Sequence, residues 1–319
     1  MPEFINKKNL SQHYSLKLFG LKGYFHDFIN VYKLKKMPKV ILLTGEKGIG
    51  KFTLSFHLIN YILSIGNAFK YDLENLEINN KNNFYNLILS NICENFIYIS
   101  NENTKKTSIE DIRNIKKNFT TTSFNNLPRF TILDDVDLLN INAANSLLKL
   151  IEEPSENNYF ILINNGRKKL IETIKSRAIE TKIFLNNESK KNIFSHLIKY
   201  HNLEHHFTHD FLSISTPGKI IKFSENLKSL PIDLNSSLFD ASKILIDKYK
   251  KDKNDVFLES LNFLIEIKFF NKINTKDKKF INILNFKKNL MGLLYDYKNF
   301  NLSSNIFLDY VKEKEYYAK

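Results

Sequence analysis

Val40-Ile41-Leu42-Leu43-Thr44-Gly45-Glu46-Lys47-Gly48-Ile49-Gly50-Lys51-Phe52-Thr53-Leu54-Ser55-Phe56 is the stretch that decides the fold. An apolar run of buried-strand length stops at Gly45, and an apolar segment with helical spacing follows from Thr53 to Leu63. Between them lies a glycine-spaced turn ending in lysine. Such a turn aims backbone N–H groups and a helix N-terminus at one point, which makes a cradle for nucleotide phosphates. The same pattern also arises as an ordinary glycine-rich turn at a helix start, but strand before and helix after is the context a P-loop requires. The candidate nucleotide-binding residues are therefore Gly45, Lys47, Gly48, Ile49, Gly50, Lys51, Phe52 and Thr53. Phe52 stands where a working P-loop has Ser or Thr to hold Mg²⁺, and Thr53 brings a hydroxyl one position late.

The 319 residues allow two or three domains, and a hydrophobic share of 43% marks a globular chain. One cysteine, Cys93, excludes an internal disulfide and any four-thiolate zinc site, in keeping with a reducing compartment. The opening residues Met1 to Lys8 lack the apolar stretch of a signal peptide, and no run of about 18 apolar residues occurs. A soluble cytoplasmic protein is expected. The formal charge of +13 fits contact with nucleic acid, but a chain heavy in Lys, Asn, Ile and Phe with only nine glycines also fits AT-rich coding DNA.

Residues 1–36 read as an opening helix pair. Short apolar runs then alternate with helical patterns over 39–184, the signature of a parallel α/β sheet. Strands are predicted at Lys39 to Thr44, Phe96 to Ile99, Phe130 to Leu133 and Tyr159 to Ile163, and helices at Thr53 to Leu63, Ser108 to Phe119 and Asn142 to Glu152, the last closed by Pro154. The Asn-rich stretch 67–95 reads as a surface excursion. Beyond Phe184 the pattern is helical from Ser189, is punctuated by Thr216-Pro217-Gly218-Lys219, and passes a polar span near 224–236 that reads as a linker. Helices are predicted at Leu238 to Tyr249, Val256 to Phe270, Asp277 to Tyr297 and Asn305 to Lys312, a bundle that packs on itself or shows a face to partners. His201, His205 and His209, with His206 beside them, fall at four-residue steps; no acid or cysteine completes a ligand set, and no metal is assigned.

Phe130-Thr131-Ile132-Leu133-Asp134-Asp135 reads as a buried strand ending in two acids, where such a pair meets the nucleotide. In P-loop enzymes the first supports Mg²⁺ and the second, usually Glu, polarises the attacking water, and Asp135 is one methylene shorter. From Asp134 to Leu139 and from Asn142 to Pro154 the chain resembles bacterial clamp-loader subunits of DNA polymerase III, an AAA+ family, and within it the delta-prime type. Thr107 to Arg113, Phe160 to Asn165 as a sensor-1 strand, and Ile174-Lys175-Ser176-Arg177-Ala178 as a serine-arginine motif follow in that family's order, with Leu18-Phe19-Gly20 and Met37-Pro38 near the start.

The resemblance implies three domains: a P-loop AAA+ domain over 1–184, a small helical lid over 185–226 and an all-α collar over 227–319. It implies ATP as the ligand, with Asp134 and Asn165 among the nucleotide-site residues, and Arg177 as an arginine finger completing a neighbouring subunit's site. It implies delta and gamma/tau subunits, the sliding clamp and primer-template DNA as partners. Departures from the family point one way. Phe52 replaces the Mg²⁺ hydroxyl, Asp135 the catalytic Glu, Ala178 the cysteine of the serine-arginine motif, and Lys219 a sensor-2 arginine. The chain's own hydrolytic site is thus expected to be dead, with weak, largely Mg²⁺-independent ATP binding. Two rivals stay open: a hydrolytically active gamma/tau-type subunit, and a basic DNA-binding module with a vestigial P-loop.

Overall fold

The computed structural model describes residues 15–100, 107–120, 127–203, 209–213, 215–228, 230–232, 236–273 and 280–317. They form two compact units, one ending at His196 and the other starting at Leu197. In the first unit, helix α1 (Lys22–Lys33) precedes β1 (Val40–Thr44), α2 (Lys51–Ser64), α3 (Asn83–Leu89), β2 (Phe96–Ser100), α4 (Ile109–Thr120) and β3 (Arg129–Asp134). Then come α5 (Ile141–Ile151), β4 (Asn158–Asn164), a short α6 (Glu172–Lys175), β5 (Ile179–Lys182) and α7 (Asn187–Tyr200), whose last four residues belong to the second unit.

The five strands make one sheet in the order β2-β3-β4-β1-β5, every pair parallel. Parallel strands need crossovers that cover the faces, so central strands are apolar on both sides. The period of two divides them cleanly. Ile41, Leu43, Tyr98, Ile132 and Ile161 face a core built with Phe25, Phe56 and Ile59, whereas Val40, Leu42, Ile99, Leu133 and Leu162 face one built with Ile112, Ala144 and Leu147. Register sets Thr44 beside Asn164, and Asp134 beside Ile163, along the carboxyl edge of the sheet. In open parallel sheets that edge is where ligands bind.

The four predicted strands are present: three run a residue longer at one or both ends, and β1 starts at Val40, one residue after the predicted Lys39. The fifth, β5, went unpredicted because Ile-Glu-Thr-Lys on an edge carries one apolar residue, Ile179, which is itself exposed. The stretch 67–95 is no mere surface excursion. It contains α3, capped by Asn82 Oδ1 accepting from Tyr85 N–H at 3.2 Å, and it buries Tyr71, Leu76, Ile78, Tyr85 and Ile88 against the core. Of the expected opening helix pair, α1 is described, and residues 1–14 lie outside the described part.

α2 is buried all round, with only Thr53 of its 14 residues less than fully covered. Such a helix must satisfy its polar side chains internally. His57 does so through ring nitrogens 2.7 Å from Tyr71 Oη and 2.8 Å from Ser15 O, and burial holds its pKa down at about 4.

In the second unit, a 3₁₀ turn (His209–Ser213) is followed by α8 (Pro217–Lys228), α9 (Leu238–Asp252), α10 (Val256–Ile273), α11 (Phe280–Phe300) and α12 (Ser304–Tyr317). Pro217 opens α8, where its missing N–H costs nothing, and α8 runs through 224–228 of the span expected to be a linker. Residues 229 and 233–235 of that span, and Asp277 at the expected start of α11, lie outside the described residues. α10 packs on α8, α9 and α11, burying Leu261, Leu264, Ile265 and Phe269. No helix among the described residues is long and apolar enough to cross a membrane.

Candidate functional site

The turn after β1 folds as its glycines demand. Gly50, the residue before α2, sits at φ +97°, a left-handed conformation that a side chain strains, and a Cβ on Gly45 would stand 2.6 Å from the Ile183 carbonyl oxygen. Gly45 N–H donates to Asn164 O at 3.3 Å, which pins the turn to β4. The N–H groups of Lys51, Phe52 and Thr53 form the first turn of α2, where helical geometry leaves donors without intrahelical acceptors. Ile49 is buried beneath the loop with its Cδ1 2.7 Å from the same Gly45 Cβ position, and Gly48 completes the turn.

Lys51 is 3% exposed and donates from Nζ to Gly45 O at 2.6 Å and Glu46 O at 2.7 Å. Burial drives its pKa down to about 8, against the pull of the Asp134, Asp135 and Asp137 carboxylates, and Lys47 adds to the fall. Phe52 is 8% exposed and packs in the core, its ring centroid 4.7 Å from that of Tyr98 and 5.9 Å from that of Phe56. Thr53 is half-buried one position on.

Asp134 ends β3, and Asp135 turns into the left-handed region at φ +56° with its side chain 1% exposed. The two acids are not a solvated strand end. Asn165 Nδ2 donates to Asp134 Oδ1 at 3.0 Å and to Asp135 Oδ1 at 2.7 Å, so the residue that follows β4 reaches both acids at the end of β3. Two cations bracket Asp135: Lys47 Nζ lies 3.7 Å from Oδ2 and Arg167 Nε 3.9 Å from Oδ1. Asp137 accepts backbone N–H bonds from Asn165, Arg167 and Lys168 at 3.2, 2.7 and 3.1 Å, tying the loop after β4 to the turn after β3. Neither Arg167 nor Asp137 was singled out for the site from sequence. The four-residue run Asp134 to Asp137, with acids at three positions, was the available signal.

Arg177 lies apart from this cluster, in the turn between α6 and β5. Its Nη2 donates to Glu152 Oε1 at 2.9 Å and its Nη1 to Thr173 O at 3.2 Å, and its side chain is 33% exposed. Glu152 caps the C-terminal end of α5, whereas Asp135 precedes that helix's N-terminal cap, Asn140. The 11 residues of α5 separate the two ends by about 16 Å. Lys219 is exposed in the first turn of α8. Of the histidines, His201 pairs with Glu225 at 3.0 Å, His205 and His206 lie outside the described residues, and no metal-ligating cluster occurs among those described.

Residues 21–188, more than half of the chain, match the family model described as DNA polymerase III, delta subunit. The chain belongs to that family. This delta-family chain is 27% identical over 252 residues to a DNA polymerase III subunit gamma of Buchnera aphidicola subsp. Schizaphis graminum, covering 79% of itself and 62% of that protein. It is 30% identical over 169 residues to a DNA polymerase III subunit delta' of Buchnera aphidicola subsp. Baizongia pistaciae, covering 50% of itself and 48% of the relative. It thus spans between about half and just under two thirds of the length of these relatives. A gamma subunit-related protein of Thermotoga maritima superposes with a TM-score of 0.50 at 15% identity, over 92% of this chain and 99% of that one. That likeness bears on fold alone: a P-loop AAA+ domain with a parallel sheet, followed by an all-helical region.

Proposed function

We propose that this chain is a delta-prime-type subunit of the clamp loader of DNA polymerase III, working in the cytoplasm with delta and gamma/tau subunits to load the sliding clamp onto primer-template DNA. Residues 185–226 act as lid and 227–319 as collar. In this reading the chain contributes Arg177 to the ATP site of a neighbouring subunit, where a planar, permanently charged guanidinium stabilises charge on the transferring phosphoryl group. The observation that supports it is the separation along α5: Arg177, one-third exposed, pairs with Glu152 at one end of that helix, about 16 Å from the end that Asp135 precedes.

The chain's own cradle binds ATP weakly, through Gly45 to Lys51, and hydrolyses none. Phe52 supports this directly, because its ring is committed to the core where a hydroxyl would have to meet Mg²⁺. Arg177→Ala in a reconstituted loader tests the trans role. Turnover of ATP and of clamp loading should fall while assembly is unchanged, and Arg177→Lys should not rescue it, lacking the planar fork. The gamma-type reading is favoured by the longer match to a gamma subunit. It requires the isolated chain to hydrolyse ATP in a way that Lys51→Ala abolishes.

A further inference from the structure

The cradle's two lysines are already engaged within the protein. Lys51 Nζ is held by two carbonyls of its own loop, and Lys47 Nζ, shielded from solvent, faces the Asp135 carboxylate at 3.7 Å. Asp135 cannot easily give way. It is 1% exposed, its backbone is fixed in the left-handed region, and Asn165 donates to its Oδ1 at 2.7 Å while Arg167 approaches the same oxygen. A phosphate entering the turn brings negative charge beside this carboxylate and competes with it for Lys47. Pulling Lys47 away leaves a buried carboxylate short of one cation, an expensive state in a low dielectric.

We propose that Asp135 acts as an internal anion that plugs the cradle by holding Lys47, and so sets the weak affinity of this site for nucleoside diphosphates and triphosphates. The Lys47–Asp135 pair is then the affinity-determining element of the site, in addition to the loss of the Mg²⁺ hydroxyl at Phe52. The inference rests on the reading of the turn as a nucleotide cradle. It assigns to Asp135 a role opposite to water activation: it keeps ligand out.

The test is binding of fluorescently labelled ADP to the full chain in EDTA, where neither hydrolysis nor metal contributes, for wild type, Asp135→Asn, Lys47→Ala and the double variant. Asp135→Asn keeps the shape and can still accept from Asn165, so it should tighten binding by roughly fivefold to tenfold. Lys47→Ala should weaken binding by a larger factor in the Asp135→Asn background than in wild type, because only there is the ammonium released to the phosphate. Asp135→Ser provides the same charge removal should the Asn variant fail to fold. Equal affinities for wild type and both Asp135 variants would overturn the plug, and so would equal Lys47→Ala factors in the two backgrounds, which would reduce Asp135 to a general repulsive charge. Those outcomes leave the cradle reading standing. If no variant binds ADP, the plug and the nucleotide reading of the turn fall together.

Discussion

Two acid–base pairings at opposite ends of α5 resemble each other in composition and differ in everything that governs their effect. At one end Asp135, 1% exposed, is bracketed by Lys47 and Arg167 and bonded by Asn165. At the other, Arg177 and Glu152 meet at 2.9 Å with side chains 33% and 58% exposed. A buried pair is costly to break and hard to reorganise, whereas an exposed one is worth little to stability and exchanges readily with another partner. The Asp135 end is thus the harder to reorganise, and the Arg177–Glu152 pair the easier to exchange.

The largest expected effect lies at the buried end. Phe52 is a core residue, so Phe52→Ala should cost about 3–5 kcal/mol of folding stability, measured by urea denaturation. A cost under about 1 kcal/mol would mean that the ring is not part of the core and that the contrast between the ends is overdrawn.

Next is the same helix under acid. His57 titrates at about 4 in the folded chain against about 6.5 unfolded. Between those values the unfolded chain binds a proton that the folded one refuses. Stability should therefore fall as pH drops from about 6.5 to about 4, by on the order of 3 kcal/mol, and level off below. His57→Gln should remove that step, and an unchanged pH profile in the variant would place the loss elsewhere.

Much of this architecture is legible in the chain, and the rest is hidden for identifiable reasons. Val40 to Thr44 and Phe130 to Asp134 announce themselves because strands covered on both faces are apolar throughout. β5 does not, since an edge strand with exposed Ile179 needs no such pattern. α3 is masked by the Asn-rich run around it, although Asn82 is its cap. At the site, the glycine spacing points to the cradle and the end of an apolar strand to Asp134, while Asn165 and Arg177 enter only through the resemblance to clamp-loader subunits. Spacing cannot show that Lys47 turns onto Asp135, or that Glu152, 25 residues before Arg177, holds that arginine, because both pairings depend on which strands and helices lie side by side.

The smallest stability effect belongs to the exposed end. Glu152→Gln should change folding stability by no more than about 0.5 kcal/mol, as expected for a pair this open to solvent, checked by thermal melts. A loss above about 2 kcal/mol would show Arg177 to be a structural residue fixed in place, and would remove the distinction between the two ends.

The most direct measurement of that distinction is steady-state ATP turnover by a reconstituted clamp loader carrying, in this subunit alone, either Arg177→Ala or Lys51→Ala. A finger supplies up to about 10³ or more at the site it serves, diluted by sites that keep their own. Arg177→Ala should therefore lower turnover several-fold with assembly intact, and Lys51→Ala should alter it by less than about twofold. The reverse pattern, with turnover lost on Lys51→Ala and kept on Arg177→Ala, would show that this chain hydrolyses ATP itself and that Arg177 is only a surface charge.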